Sequence, residues 1–265
     1  MRRARRSRAS GREEAIDELF STRGLEAELI ARDADRHFSL RPFADGVPHD
    51  ELVSTAPAAE TEPERLFRQA AEAVRRGRRG DAILRYGELL ALEPAHLAGR
   101  NNLALLLDAV GKHDEALEQL AIALRFDPDN LSLLVTRGAM FGRLKRYGEA
   151  EADLRRALRN RADYAGAHFT LGLVLWRKGL PIEAAQSLRR ALEINPDNAE
   201  AHYYLGEALN QVNDLTEARA ALERAAVLDP RDARAFQLLG RILDRLSRPE
   251  EAMAMYRRAR EARTP

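Results

Sequence analysis

The chain contains no cysteine, which excludes disulfides, thiolate metal sites and cysteine nucleophiles. It has almost no lysine: Lys112, Lys145 and Lys178 stand against forty arginines. That bias reads as codon usage in a GC-rich, bacterial genome before it reads as chemistry. Charge of one sign is missing too. The 43 basic and 42 acidic residues leave a formal net charge of +1, so no global field selects nucleic acid or an acidic membrane. No apolar run approaches the roughly 18 residues that a bilayer requires, so no membrane span is expected. Arginines 2, 3, 5, 6, 8 and 12 look like the charged start of a secretion signal, but no apolar stretch follows them. A cytoplasmic location is the resulting expectation. Catalytic signatures are also lacking: there is no G-x-S-x-G, no phosphate-cradling G-x-x-x-x-G-K-[ST], no H-E-x-x-H and no dinucleotide-binding glycine fingerprint. The expectation is a non-enzyme with no catalytic residues, no cofactor and no metal.

What the chain has is periodicity. "ALRFDPDN" at 123–130 is nearly copied by "ALEINPDN" at 191–198, twice 34 residues later. Proline falls at 94, 128, 196 and 230 in one register, with Ala162 in the missing slot. Alanine recurs at 82, 116, 150, 184, 218 and 252, and again at 123, 157, 191, 225 and 259. Glycine recurs at 138, 172, 206 and 240, preceded by Ala70 and Ala104. Four interlocked series of one period define a 34-residue unit written six times, at about 63–96, 97–130, 131–164, 165–198, 199–232 and 233–265.

Each unit reads as two helices. In 199–232, Leu205, Ala208 and Leu209 make a helical stripe, and Ala218, Ala221, Leu222 and Ala225 make a second. Between them Asn213 is expected at a left-handed helix end, where sister units carry Gly77, Gly111 and Gly179. The recurring Asp-Pro stops the second helix, because a residue before proline is pushed out of the α region. Small residues in the glycine and alanine series let paired helices approach closely.

These residues resemble the tetratricopeptide repeat (TPR) family pattern, W-x2-L-G-x2-Y followed by A-x3-F, A and P. The fourth unit supplies His168, Leu171, Gly172, Leu175, Ala184, Leu188, Ala191 and Pro196. The fifth supplies His202, Leu205, Gly206, Leu209, Ala218, Leu222, Ala225 and Pro230. The resemblance implies an all-α right-handed solenoid of six helix-turn-helix repeats. Local departures are Gln69 and Arg137 at the leucine slot and Arg100 at the tryptophan slot. Both arginines are expected to snorkel to water. His168 and His202, also at the tryptophan slot, are expected to pack rather than bind metal.

Residues 1–62 differ. A basic tail without acids leads into 13–40, where eight acids and three arginines surround Ile16, Leu19, Phe20, Leu29 and Ile30 at partly helical spacing. Residues 41–62 hold three prolines and four net negative charges. The reading is a largely disordered arm: tail, short helix, acidic linker. Its helix is a candidate to cover the edge of the first repeat.

In the family, positions 2, 5, 6, 9, 12 and 13 of each first helix line a concave groove. Carried onto this chain, the candidate groove residues are Arg143, Phe169, Trp176, Arg177, Tyr203, Tyr204, Arg241 and Arg245. Arginine and aromatics are the usual anchors of protein interfaces. The clamp by which some members grip a C-terminal carboxylate is excluded: its five positions read Phe67, Ala71, Asn102, Ser132 and Thr136, and only Asn102 matches. The expected function is a monomeric, non-catalytic adaptor that binds a protein, peptide or helix of acidic character, with neither a membrane nor nucleic acid as partner. Two alternatives are a non-catalytic subunit of an enzyme complex, such as a transferase, and nucleic-acid association through the arginine-rich tail and "RRGRR" at 75–79.

Overall fold

The computed structural model describes residues 60–262. The expected basic tail, short helix and most of the acidic linker lie outside the described residues. Within them there are twelve helices and no strand. In chain order they are α1 (Glu62–Arg75), α2 (Arg79–Leu92), α3 (Leu97–Ala109), α4 (His113–Phe126), α5 (Leu131–Arg143), α6 (Tyr147–Asn160), α7 (Ala165–Lys178), α8 (Pro181–Ile194), α9 (Ala199–Gln211), α10 (Leu215–Leu228), α11 (Ala233–Arg245) and α12 (Pro249–Glu261). They pack as six consecutive hairpins. The chain divides into two units at Pro128 and Asp129. The described part of the first holds α1–α4, and the second holds α5–α12.

The hairpin turns follow from one backbone position. Gly77, Gly111 and Gly179 adopt left-handed φ angles of 71°, 82° and 84°. Lys145, Asn213 and Ser247 occupy the same slot at 61°, 67° and 58°, so the turn imposes its geometry even where the residue lacks glycine's freedom. Side chains cap most of the first helices of the pairs. Thr61 and Glu64 form a reciprocal capping box at α1. Asn130, Asn198 and Asp232 then accept from backbone N–H groups at the starts of α5, α9 and α11.

The core consists of the predicted series. Ala82, Ala116, Ala150, Ala184, Ala218 and Ala252 are all fully buried. At Gly172 an added Cβ would sit 2.6 Å from Leu188 Cγ and 3.3 Å from the Ala184 carbonyl oxygen. At Gly206 it would meet Leu222 Cγ at 2.6 Å. Glycine leaves room at both for the leucine of the second helix, where an added Cβ would force that leucine to shift.

The two arginines do not snorkel. Arg137 donates from Nε and Nη2 to both oxygens of Asp153, each bond 2.7 Å long. Arg100 is buried and donates to the Pro94 carbonyl and to Gln119 Oε1, also at 2.7 Å. The expectation failed because Gln119 and Asp153 stand at one shared repeat position on the facing helix. Each supplies the acceptor that Ala221 and Met255, at the same position of later repeats, would not.

The histidines share Arg100's task. His168 and His202 each donate Nε2–H to a carbonyl six residues back, Ala162 and Pro196, at 2.9 Å. Since a carbonyl only accepts, this fixes the proton on Nε2. One repeat position thus ties three inter-repeat turns to the helix that follows.

The first helix has a polar outer row. Arg65, Gln69, Glu72 and Arg76 stand where later repeats place buried Leu133, Leu171, Val174 and similar residues. A repeat array ends in such a face when no further repeat stacks on it.

Candidate functional site

The second unit brings together an aromatic cluster from three of its first helices. Trp176 projects from the last turns of α7, Tyr203 and Tyr204 from the second turn of α9, and Arg234 from the first turn of α11. The Trp176 and Tyr204 rings lie edge to face with centroids 5.2 Å apart, and Tyr204 meets Tyr203 in the same way at 5.2 Å. The Arg234 guanidinium sits 4.9 Å above the Tyr203 ring. It is aimed there by a two-pronged bond to Asp232, 2.9 and 2.8 Å, while Asp232 also caps α11. Phe169 and Leu173 of α7 are buried at the repeat positions of Tyr203 and Glu207.

Electrostatics follow from burial. Burial, reinforced by the Glu207 charge, raises the Tyr203 hydroxyl, which donates to Glu207 Oε1 at 3.1 Å. Burial and the Glu200 charge raise Tyr204, with Arg234 and Arg177 opposing them. Burial pulls the Arg234 guanidinium down, but its bonds to Asp232 more than offset this and hold it above its ordinary value. Both phenols therefore stay protonated at neutral pH.

The predicted groove residues separate into two groups. Trp176, Tyr203 and Tyr204 form the cluster, Arg177 acts on Tyr204 electrostatically, and Phe169 is buried on α7 at the repeat position of Tyr203. Arg143 is half-buried at the end of α5, and Arg241 is exposed on α11 without a hydrogen bond or ion pair among the described residues. Arg245 is already committed. It donates to Asn210 Oδ1, and to Asn213 Oδ1 at 2.5 Å, tying the last hairpin to the preceding turn. Sequence reasoning passed over Arg234 and Glu207. Both occupy family groove positions, 2 and 9, so the signal was present, but neither continued the arginine series at position 13.

Some concave-position polar groups lack partners. The Trp176 Nε1 and Thr136 Oγ1 atoms are buried without a hydrogen bond among the described residues. In the first unit, Asn101 is 3% exposed and neither atom of its amide is bonded. Nearby Asn102 is satisfied, donating to the buried Tyr86 hydroxyl at 3.0 Å.

Tetratricopeptide repeat family models match residues 67–130 and 141–199, 175–242, and 233–263. The chain belongs to the tetratricopeptide repeat family. Among solved structures it is similar to PilW, a "widely conserved type IV pilus biogenesis factor", with a TM-score of 0.68 and 20% identity over 74% of this chain and 91% of that one. It is also similar to Pseudomonas aeruginosa pilF, with a TM-score of 0.66 and 20% identity over 73% and 88%. At these identities the likeness concerns the fold. YrrB, described as "a TPR protein with an unusual peptide-binding site", is 25% identical over 67% of this chain and 92% of its own, with a TM-score of 0.54. A comparison with curated proteins finds no match.

Proposed function

We propose that the protein is a non-catalytic interaction adaptor whose second unit holds a peptide or helix of a partner protein along Arg143, Phe169, Trp176, Arg177, Tyr203, Tyr204 and Arg241. The observation that carries this reading is the Trp176–Tyr204–Tyr203–Arg234 cluster, which gathers interface-type side chains from three successive repeats. Membership of a family of repeat scaffolds supports it, as does the 25% identity to a peptide-binding TPR protein. The reading includes action as a monomer in a bacterial cytoplasm. No described helix is long and apolar enough to cross a membrane.

The nucleic-acid alternative draws only weak support from the first unit. Arg75 and Arg76 share the single charge of Glu72, and Arg78 pairs with Asp81, so two of the four "RRGRR" charges are balanced locally.

The test is quantitative affinity capture with the parent chain and with Arg177→Glu and Arg241→Glu variants that melt like the parent. A protein retained by the parent and lost by both variants is the expected result. Partners retained equally by all three would refute the groove.

A further inference from the structure

The first hairpin has an open cleft between α1 and α2. The polar outer row of α1 forms one wall. Two leucines of α2 stand on the other, Leu84 at 59% and Leu92 at 53% exposure, above buried Leu66 and Ala73. Gln69 and Arg85 line both halves, so the cleft is continuous. The polar wall is unsuited to a stacked repeat, yet the leucines remain uncovered. The matching cover is therefore apolar on one face and charged on the other. The sign of that charge is set by the rim. More arginines than acids line it, and one of those acids, Glu72, is shared by Arg75 and Arg76.

The described chain begins at this cleft. Glu60 accepts from Arg68 Nε and Nη2, both at 2.8 Å, and Arg68 is on the cleft wall. The residue that leads into α1 is thus bound about two turns along it. Upstream stands "EEAIDELF" at 13–20. Helical spacing puts Ile16, Leu19 and Phe20 on one face, and Glu13, Glu14, Asp17 and Glu18 on the other, with no base among them. Residues 21–59 intervene. Even as a loose coil they span about 35 Å, more than the roughly 20 Å length of α1.

We propose that residues 13–20 of the same chain dock as a helix in the α1–α2 cleft. Ile16, Leu19 and Phe20 then cover Leu84 and Leu92, and the acids face the arginines of the rim. The segment closes the open end of the array on a surface distinct from the candidate groove.

The test uses the full-length chain, whose lack of cysteine leaves no background thiol. Phe20→Cys is combined with Leu92→Cys, or with Glu118→Cys on exposed α4 surface as the control for tethering alone. Disulfide formation within one chain should be about tenfold faster for the Leu92→Cys pair, and adding Ile16→Glu and Leu19→Glu should abolish the difference. Independently, Ile16→Glu with Leu19→Glu in the cysteine-free chain should speed amide exchange in α2 about tenfold and leave α10 unchanged. Equal disulfide rates, or exchange in α2 that ignores the double variant, would overturn the proposal. A Leu92→Cys disulfide that forms only between two chains would overturn it as well, since the cleft would then hold the segment of a second copy.

Discussion

Arg137 and Asp153 face each other across the third hairpin and share two 2.7 Å hydrogen bonds, with side chains 22% and 10% exposed. The pair replaces the leucine that the other central repeats place on the first helix. A partly buried ion pair of this kind is sensitive to the loss of one member and tolerant of the loss of both. Asp153→Ala should therefore destabilise the protein by about 2–3 kcal/mol, whereas Arg137→Leu combined with Asp153→Ala should fall within about 1 kcal/mol of the parent. Denaturant titration of the three chains checks this. Equal losses for the single and double variants would show that the pair contributes no specific interaction.

Two glycines in helices should respond with opposite sign to the same change. Gly172 has no free room for a methyl group, because an added Cβ would lie 2.6 Å from Cγ of the fully buried Leu188. Gly87 has nothing within 4 Å. Gly172→Ala should cost about 1–3 kcal/mol through overpacking, and Ala184→Leu at the same crossing should cost a similar amount. Gly87→Ala should stabilise by about 0.5–1 kcal/mol through helix propensity. Thermal melts in which Gly172→Ala and Gly87→Ala move together would contradict the packing described for α7 and α8.

His202 gives the fold a dependence on pH. Burial holds its imidazole below the ordinary value of 6.5, while the Pro196 carbonyl works in the opposite direction. Its Nδ1 is buried without a partner, so a second proton would have no acceptor. The folded state thus binds this proton less readily than the unfolded state. The stabilisation is complete above the unfolded pKa and is lost as pH falls through it toward the depressed folded value. The melting temperature should drop between about pH 7.5 and pH 5, and His202→Gln, which can still donate to Pro196, should show a smaller drop. Identical profiles for the two chains would rule out His202 as the source.

The last hairpin bears on the proposal that the protein acts as a monomer. Arg260 is exposed at a position where four of the five earlier repeats carry leucine. Met255 and Ala262 pack against the cluster of Phe236 and Ala259, whereas Met253 is 62% exposed. The expected sedimentation profile is a single monomeric species that Met253→Glu leaves unchanged. Arg260→Leu combined with Ala262→Leu should shift it toward association. A parent dimer dissolved by Met253→Glu would reverse that expectation.

Most of the fold was legible in the sequence because a repeat writes its constraints several times. The alanine at 184 could be a coincidence, but the same residue at 82, 116, 150, 218 and 252 could not, and each is buried as that regularity implied. Departures from the repeat were the illegible part. Nothing in Arg137 alone names Asp153 as its partner, because the pairing depends on which face of the next helix turns toward it. The site was half legible for the same reason. Aromatic residues at groove positions could be picked out one by one, but the contact from Trp176 through Tyr204 and Tyr203 to Arg234 joins three repeats. Arg245, chosen for its place in an arginine series, is instead bound to Asn210 and Asn213.

Trp176 is the only tryptophan in the chain, so its emission reports on the candidate groove and on nothing else. The most direct measurement is a titration of the full-length chain with a captured peptide, following Trp176 fluorescence and heat of binding in parallel. The account predicts a saturable change in emission with the same dissociation constant as calorimetry, and the loss of both signals in Arg177→Glu. Calorimetric binding that leaves Trp176 emission unchanged and survives Arg177→Glu would place the ligand elsewhere and contradict the account.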